Sequence, residues 1–460
     1  MNASSETALQ CISRNISRTG FAPGATGLGF LRDAFIDIYG CMLIGAGQPV
    51  STKTREALLA GGSIHAGAQA AIFGTDQRAT PGAAAMANAI AGHALEFDDW
   101  EVPGNTHVSV VLVPAILAAA SGRPLPGKEA IDAYLAGYET IARIGEAINL
   151  EHYDQGWHAT ATIGAIGVAA AVARLLALDP GQTANALALA TSRALGYNAQ
   201  FGSEAKPVQV GFAVDGGLVS AQLAAAGVTG QAHMLEHDTG MAAMMSDAGL
   251  ERIAVAMSRM GESLAFDDYH IVFKPWPSCG YTHRIMTGML ELRSRGIDLS
   301  SIERIELHLP DMHAGILPFT QPRDRSEALF SLPFCAAMIL LNGDFNIDDI
   351  RDQSWNRDEV RELIGRTSIH PFKAERPELN YDPLQPDRIV VHCTEDSHRI
   401  EIPYPLGSPQ LPVSRQQLQR KFQLNAGLDE SSAARQWQRL AGWIEADDIH
   451  ELFTPRPRVT

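Results

Sequence analysis

The chain has 460 residues, 46% of them hydrophobic and 19% charged, enough apolar mass for two or three packed domains and too much for a disordered chain. Its formal net charge is −16, and no Lys/Arg-rich block interrupts it, which argues against a nucleic-acid partner. The five cysteines are scattered and form no Cys-x-x-Cys pair, which argues against a disulfide framework, an iron–sulfur cluster or a thiolate-held metal. Reduced thiols and the absence of a secretory pattern in MNASSETALQ point to the cytoplasm.

From about residue 25 to 265 the chain is dominated by Ala, Leu, Ile and Gly. Apolar spacing predicts helices over Leu31–Ile44, Pro81–His93, Val110–Ala120, Gly127–Ala147, Thr160–Leu178, Pro180–Leu195 and Gly217–Ala226. Small residues such as Gly164 and Gly167 let helix axes approach closely, so the fold class is mainly α, with a large all-helical body buried on several faces. The longest apolar runs, Ala159–Ala173 and Val108–Ala120, are shorter than the roughly 18–20 residues a span requires. They read as buried helices, and no membrane partner is expected.

Three segments of this half carry candidate chemistry. HALEFDDW (His93–Trp100) and NTHVS (Asn105–Ser109) crowd Glu96, Asp98, Asp99 and Glu101 with two histidines into a short stretch. Clustered carboxylates and imidazoles serve proton transfer, because like charges and burial push their pKa values toward neutrality; an acidic helix end followed by a loop is the plainer reading. Within this stretch no His-x-x-x-His spacing supports a metal. In GWHATATIGAIG (Gly156–Gly167), His158 precedes a long apolar helix. The helix dipole can hold such a His neutral, fit to polarise or deprotonate a substrate, or the ring can simply bond its own turn. In SEAKPVQVG (Ser203–Gly211), Lys206 is either a surface residue or an anion clamp.

The texture changes near residue 270. FKPWPSCGYTHR (Phe273–Arg284) places Lys274 at the junction, with Cys279, His283 and Arg284 beyond it. Interdomain clefts favour ligands. A Cys279–His283 nucleophile pair is one reading; an inert, buried thiol is the simpler one. Beyond the junction, alternation predicts strands over Ile302–Leu309, Arg388–His392 and Arg399–Ile402, and apolar spacing predicts helices over Tyr281–Arg295, Glu327–Leu341 and Arg357–Ile364. This is a smaller α+β domain. After the Gly407–Pro412 linker, Ser414–Leu424 and Ser431–Ile444 read as polar amphipathic helices.

Taken in order, these segments resemble the MmgE/PrpD family, which includes 2-methylcitrate dehydratase, cis-aconitate decarboxylase and iminodisuccinate epimerase. HALEFDD is similar to its His-Ala-Leu-Asp-Phe-Asp-Asp signature, and THVSVVLVPAILAAA to its His-Pro-Ser helix. Gly156–Leu178, Lys206–Gly211, KPWPSC and SEALFSLPFCAAMILLNGD (Ser326–Asp344) also resemble family segments. The resemblance implies a helical domain (1–268), an α+β lid (269–405) and C-terminal helices (406–460) that rejoin the first. It implies a homodimer, an active site between body and lid, and no metal or organic cofactor. Carried over by position, the site holds Glu96, Asp98 or Asp99, His107, His158, Lys206 and Lys274. The chain departs from the pattern at Glu96, where the signature has Asp. Trp100 stands where the decarboxylase has Thr, Cys279 where it has a second His, and Ala314 where it has Tyr. These changes weigh against cis-aconitate decarboxylation.

The residues then suggest a lyase acting on a small di- or tricarboxylate, foremost dehydration of a 2-methylcitrate- or citrate-type acid. Such a reaction needs a base for the α proton, cations for the charged carboxylate and an acid for the departing hydroxyl. Lys206 and Lys274 suit the cations, and His107 and His158 the base and acid in an order left open. Glu96, Asp98 and Asp99 would orient and tune the imidazoles. Trp100, Cys279, His283 and Arg284 are further candidates for binding substrate. The same set would serve an epimerase or a decarboxylase. A catalytically silent ligand-binding relative is the alternative of another class, and retention of both lysines and both histidines argues against it.

Overall fold

All seven apolar segments of the first half form helices: Ala25–Gly45, Pro81–His93, Val108–Ala119, Gly127–Ile148, Ala159–Leu175, Pro180–Thr191 and Ala205–Ala225. The computed structural model describes residues 6–18 and 20–453; positions 1–5 and 454–460, at the two ends of the expected outer segments, lie outside the described residues. Ala159–Leu175 is the central helix, packed against Val108–Ala119, Gly127–Ile148, Pro180–Thr191 and Ala205–Ala225. Every residue from Ala159 to Ala173 is buried, so this helix has no polar face to present to water. Glycine makes the close crossings. A Cβ on Gly167 would sit 2.4 Å from Cγ1 of Ile141, and one on Gly217 would sit 2.4 Å from the carbonyl oxygen of Ala165. Neither backbone has room for a methyl group.

The last of these helices starts at Ala205, well before the expected Gly217. Pro207 and three glycines hide its apolar period, yet Pro in the first turn removes a donor that has no helical acceptor. Among the described residues it is the one helix long and apolar enough to cross a membrane, and 56% of that window is buried inside the protein. Lys206 and Gln209 are among its buried residues, as befits a core helix.

The lid is built on a four-stranded sheet in the order Thr367–Phe372, Ile302–Pro310, Asp387–Cys393, Ser397–Ile402. The first pair is parallel and the other two are antiparallel, with His308 opposite Arg388 and Arg388 opposite Glu401. Thr367–Phe372 escapes the sequence pattern because it does not alternate and carries Pro371, which only an edge strand tolerates. His283–Ser294 packs on the last two strands, and Leu332–Asn342 packs on that helix. The expected Glu327–Leu341 helix is interrupted. Ser331 caps a new start by accepting from the Phe334 amide, with a Pro in the first turn.

After the linker, Arg415–Ala426 returns to lie on Ala25–Gly45. The Lys421 ammonium is 2.8 Å from Asp37 and 2.6 Å from the Phe97 carbonyl oxygen. Trp443 stacks on Phe35 with ring centroids 4.1 Å apart.

Candidate active site

Three helices begin at one cleft. His107 stands at the N-cap of Val108–Ala119, His158 at the N-cap of Ala159–Leu175, and Lys206 in the first turn of Ala205–Ala225. Their converging N-terminal dipoles make the cleft attractive to anions. A fourth helix, Pro81–His93, ends there at its C-terminus with His93. The chain then turns through Glu96, whose φ of 52° is left-handed, a conformation that costs a non-glycine residue about 1–3 kcal/mol. The turn aims the Glu96 carboxylate at two ammonium groups.

One oxygen of Glu96 accepts from Lys206, and the other lies 3.4 Å from Lys274. Lys274 also donates to the Glu96 carbonyl oxygen at 3.1 Å and sits 5.8 Å from the centre of the Trp100 ring. The two lysines therefore converge on a shared internal counter-ion. Lys206 lies 2.7 Å from Nε2 of His93, whose Nδ1 is 2.8 Å from Asp98. An ammonium has only protons to offer, so His93 accepts through Nε2 and donates from Nδ1 to Asp98. The same Asp98 carboxylate lies 3.2 Å from Nδ1 of His107, off the line of a good hydrogen bond. Among the described residues His158 finds no hydrogen-bond partner at either nitrogen, although both are buried. A buried polar atom without a partner costs about 1–3 kcal/mol, so these nitrogens are poised for a ligand.

Burial works against the charge on each of these groups, and the neighbours decide the outcome. Burial alone would raise the Glu96 carboxyl, but Lys206, His93 and Lys274 overcome it and hold Glu96 below the usual carboxylate range. Burial likewise opposes ionised Asp98, and His93 and His107 reverse the effect. His107 goes the other way: burial lowers it to about 4, Asp98 resists, and Lys274 adds to the fall. Burial and Lys206 together depress His158 well below the usual imidazole range. Burial also lowers the Lys206 ammonium, against the pull of Glu96. The cleft thus holds ionised Glu96 and Asp98 beside His107 and His158, which burial disposes to be neutral.

The lid closes the cleft with Cys279, Tyr281, Phe330 and Tyr381, while Trp100, Tyr153 and Phe201 complete the wall. Phe201 and Phe330 flank Lys206, with ring centres 4.9 and 5.4 Å from its ammonium. Burial pushes the Cys279 thiol up to about 11, so it is no nucleophile at neutral pH. By distance, His93, Asp98 and His107 bring three ligand atoms within 4.8 Å, and Cys393, Asp396 and His398 do the same in the lid. In the first group the direct His93–Asp98 bond and the adjacent Lys206 ammonium oppose a second cation.

The MmgE/PrpD N-terminal domain matches residues 29–252, and the MmgE/PrpD C-terminal domain matches residues 276–443. The chain belongs to the MmgE/PrpD family. Lys274 falls between the two family domains. A relative named cis-aconitate decarboxylase, from Aspergillus terreus, is 26% identical over 442 residues, covering 91% of this chain and 89% of its own. Cis-aconitate decarboxylase of Homo sapiens is 26% identical over 362 residues, covering 76% and 74% respectively. That of Mus musculus is 27% identical over 363 residues, covering 76% and 73%.

Not every residue singled out in the sequence reaches the cleft of this family member. Asp99 points away from Asp98 and into the body, where it accepts from the amide and, at 2.5 Å, the hydroxyl of Ser109. Burial raises its carboxyl to about 7, and it serves the start of the Val108–Ala119 helix. His283 lies behind Trp100 and Trp276, with ring centroids 6.0 and 5.6 Å away. Arg284 belongs to the lid interior, 3.3 Å from Asp387 and donating to the Ile402 carbonyl oxygen at 2.9 Å. None of these three lines the cavity; Asp98 and Lys274 do not line it either and act on it through His107 and Glu96. Ala314 is also outside it; tyrosines enter instead as Tyr153, Tyr281 and Tyr381. Sequence reasoning passed over the aromatic wall, including Tyr153, Tyr281 and Tyr381, and it passed over His93. Its signal was its place at the head of the acidic segment, but a His at a helix C-terminus has an ordinary explanation in the dipole.

Proposed function

We propose that this protein is a lyase acting on a small polycarboxylate, and that its reaction is decarboxylation of an unsaturated tricarboxylate of the cis-aconitate type. The observation that carries this is the Lys206–Glu96–Lys274 cluster set beside neutral His107 and unpartnered His158 at three helix N-termini. The substrate carboxylates share the Lys206 ammonium with Glu96, and the buried Lys274 acts on them through Glu96. The negative charge they bring raises the pKa of His107 and His158, and an imidazole takes up a proton. The bond to one carboxylate breaks, carbon dioxide leaves, and the electron pair passes onto the adjacent double bond. The resulting carbanion takes the proton from the imidazolium. Lysines, helix dipoles and the aromatic wall stabilise the charge as it moves. The names of the relatives favour this reaction over the dehydration expected from sequence.

Dehydration of a β-hydroxy tricarboxylate is the second reading, supported by His107, which burial keeps neutral and able to accept an α proton. Incubation in deuterated water with cis-aconitate, citrate and 2-methylcitrate separates the two. Carbon dioxide release with one solvent deuteron in the product marks decarboxylation. A new double bond without carbon dioxide marks dehydration. Absence of both, and of any solvent exchange, would remove the lyase reading. Assembly as a homodimer is part of the same proposal, supported by the exposed apolar row Phe212, Val219 and Leu223 on Ala205–Ala225. Sedimentation of the wild type and of Phe212→Asp tests it: the variant should dissociate, and a monomeric wild type would end it.

A further inference from the structure

One buried hydroxyl in the cavity wall has no partner among the described residues. Tyr381 lies in the lid segment between the strands Thr367–Phe372 and Asp387–Cys393. Its ring packs with Trp100 and Val272, only 8% of the residue is exposed, and its oxygen is buried without a hydrogen bond. The neighbouring Tyr281 differs, because its hydroxyl accepts from the Asn105 amide at 2.8 Å. The Arg284 guanidinium lies 5.4 Å from the centre of the Tyr381 ring and is itself anchored to Asp387 and Ile402. The ring is therefore held against the cavity by an apolar contact and by a fixed cation. Burial pushes the phenol up, so it keeps its proton at any working pH and serves as a donor.

We infer that Tyr381 binds substrate, its hydroxyl donating a hydrogen bond to one carboxylate of the polycarboxylate. Lys206 from the body and Tyr381 from the lid then hold the same anion and tie the two parts together around it. The inference rests on the polycarboxylate reading above and adds to it a binding residue from the lid. A hydroxyl buried without a partner in the empty protein is a cost, and a charged acceptor turns that cost into a bond.

Tyr381→Phe keeps the ring and removes only the oxygen. The variant is expected to melt at the same temperature as the wild type or slightly higher, since no internal bond is lost. Its affinity for tricarballylate, a saturated tricarboxylate, and for cis-aconitate should fall roughly 10- to 100-fold by calorimetry, the range for a hydrogen bond to a charged group. A lower melting point with unchanged affinity would show a structural hydroxyl and overturn the inference. Unchanged melting and unchanged affinity would overturn it as well. If the wild type binds either acid and the variant binds equally well, only the role of Tyr381 falls. If the wild type binds neither, the polycarboxylate reading falls and takes this inference with it.

Discussion

Replacing Glu96 by Gln tests whether the cleft is organised around an internal counter-ion. The Glu96 side chain is 4% exposed, as is that of Lys206, and the Lys274 side chain is fully buried. Removing one partner of a buried ion pair costs about 3–5 kcal/mol, because the remaining charges stay desolvated and unpaired. Gln keeps the shape and one acceptor oxygen, so a loss of about 3 kcal/mol at pH 7 is expected, read as a lower urea midpoint at unchanged slope. A polycarboxylate should restore much of it: saturation at about 100 times the dissociation constant contributes about 2.7 kcal/mol. The ligand should therefore stabilise the variant at least as strongly as the wild type, although a catalytic-site group has been removed. The pH dependence has a fixed sign. Burial acts to raise the Glu96 carboxyl, and Lys206, His93 and Lys274 more than reverse that. A depressed carboxyl contributes stability above its ordinary value of 4.5 and loses it as pH falls through the folded value. The gap between wild type and Glu96→Gln should narrow below that pH. A variant as stable as the wild type at pH 7, with no larger response to ligand, would refute the counter-ion argument.

Two further outcomes follow from the imidazoles. His107 titrates near 6.5 when unfolded and is lowered to about 4 by burial. Its contribution is complete above pH 6.5 and is lost as pH falls toward 4, a change of about 3 kcal/mol at most. His107→Gln should flatten that part of the stability profile measured by urea denaturation, and an unchanged profile would contradict the assigned cause. Ligand binding should take up protons near pH 6.5, since bound carboxylates raise the pKa of neutral imidazoles. Calorimetry in buffers of different ionisation enthalpy reads this directly, and affinity should rise from pH 7.5 toward 6; proton release on binding would reverse the proposed order of events.

Much of the fold was legible in the sequence because periodicity is a local property. A helix buried on all sides, such as Ala159–Leu175, or an alternating strand, such as Ile302–Pro310, is written in neighbours a few residues apart. The placement of His107 and His158 just before helices was legible for the same reason. What each polar side chain touches was not. Asp98 and Asp99 are adjacent and chemically alike, yet one faces the imidazoles and the other a buried serine. Lys206 and Lys274 meet Glu96 across 110 and 178 positions, and Tyr381 reaches the cavity from the segment before the strand Asp387–Cys393. Arg284, beside the site in sequence, is spent inside the lid on Asp387. A local pattern records which face of an element is apolar. The partner of a buried charge depends on which elements meet, so only the packed tertiary structure decided which ions and hydroxyls share the cleft.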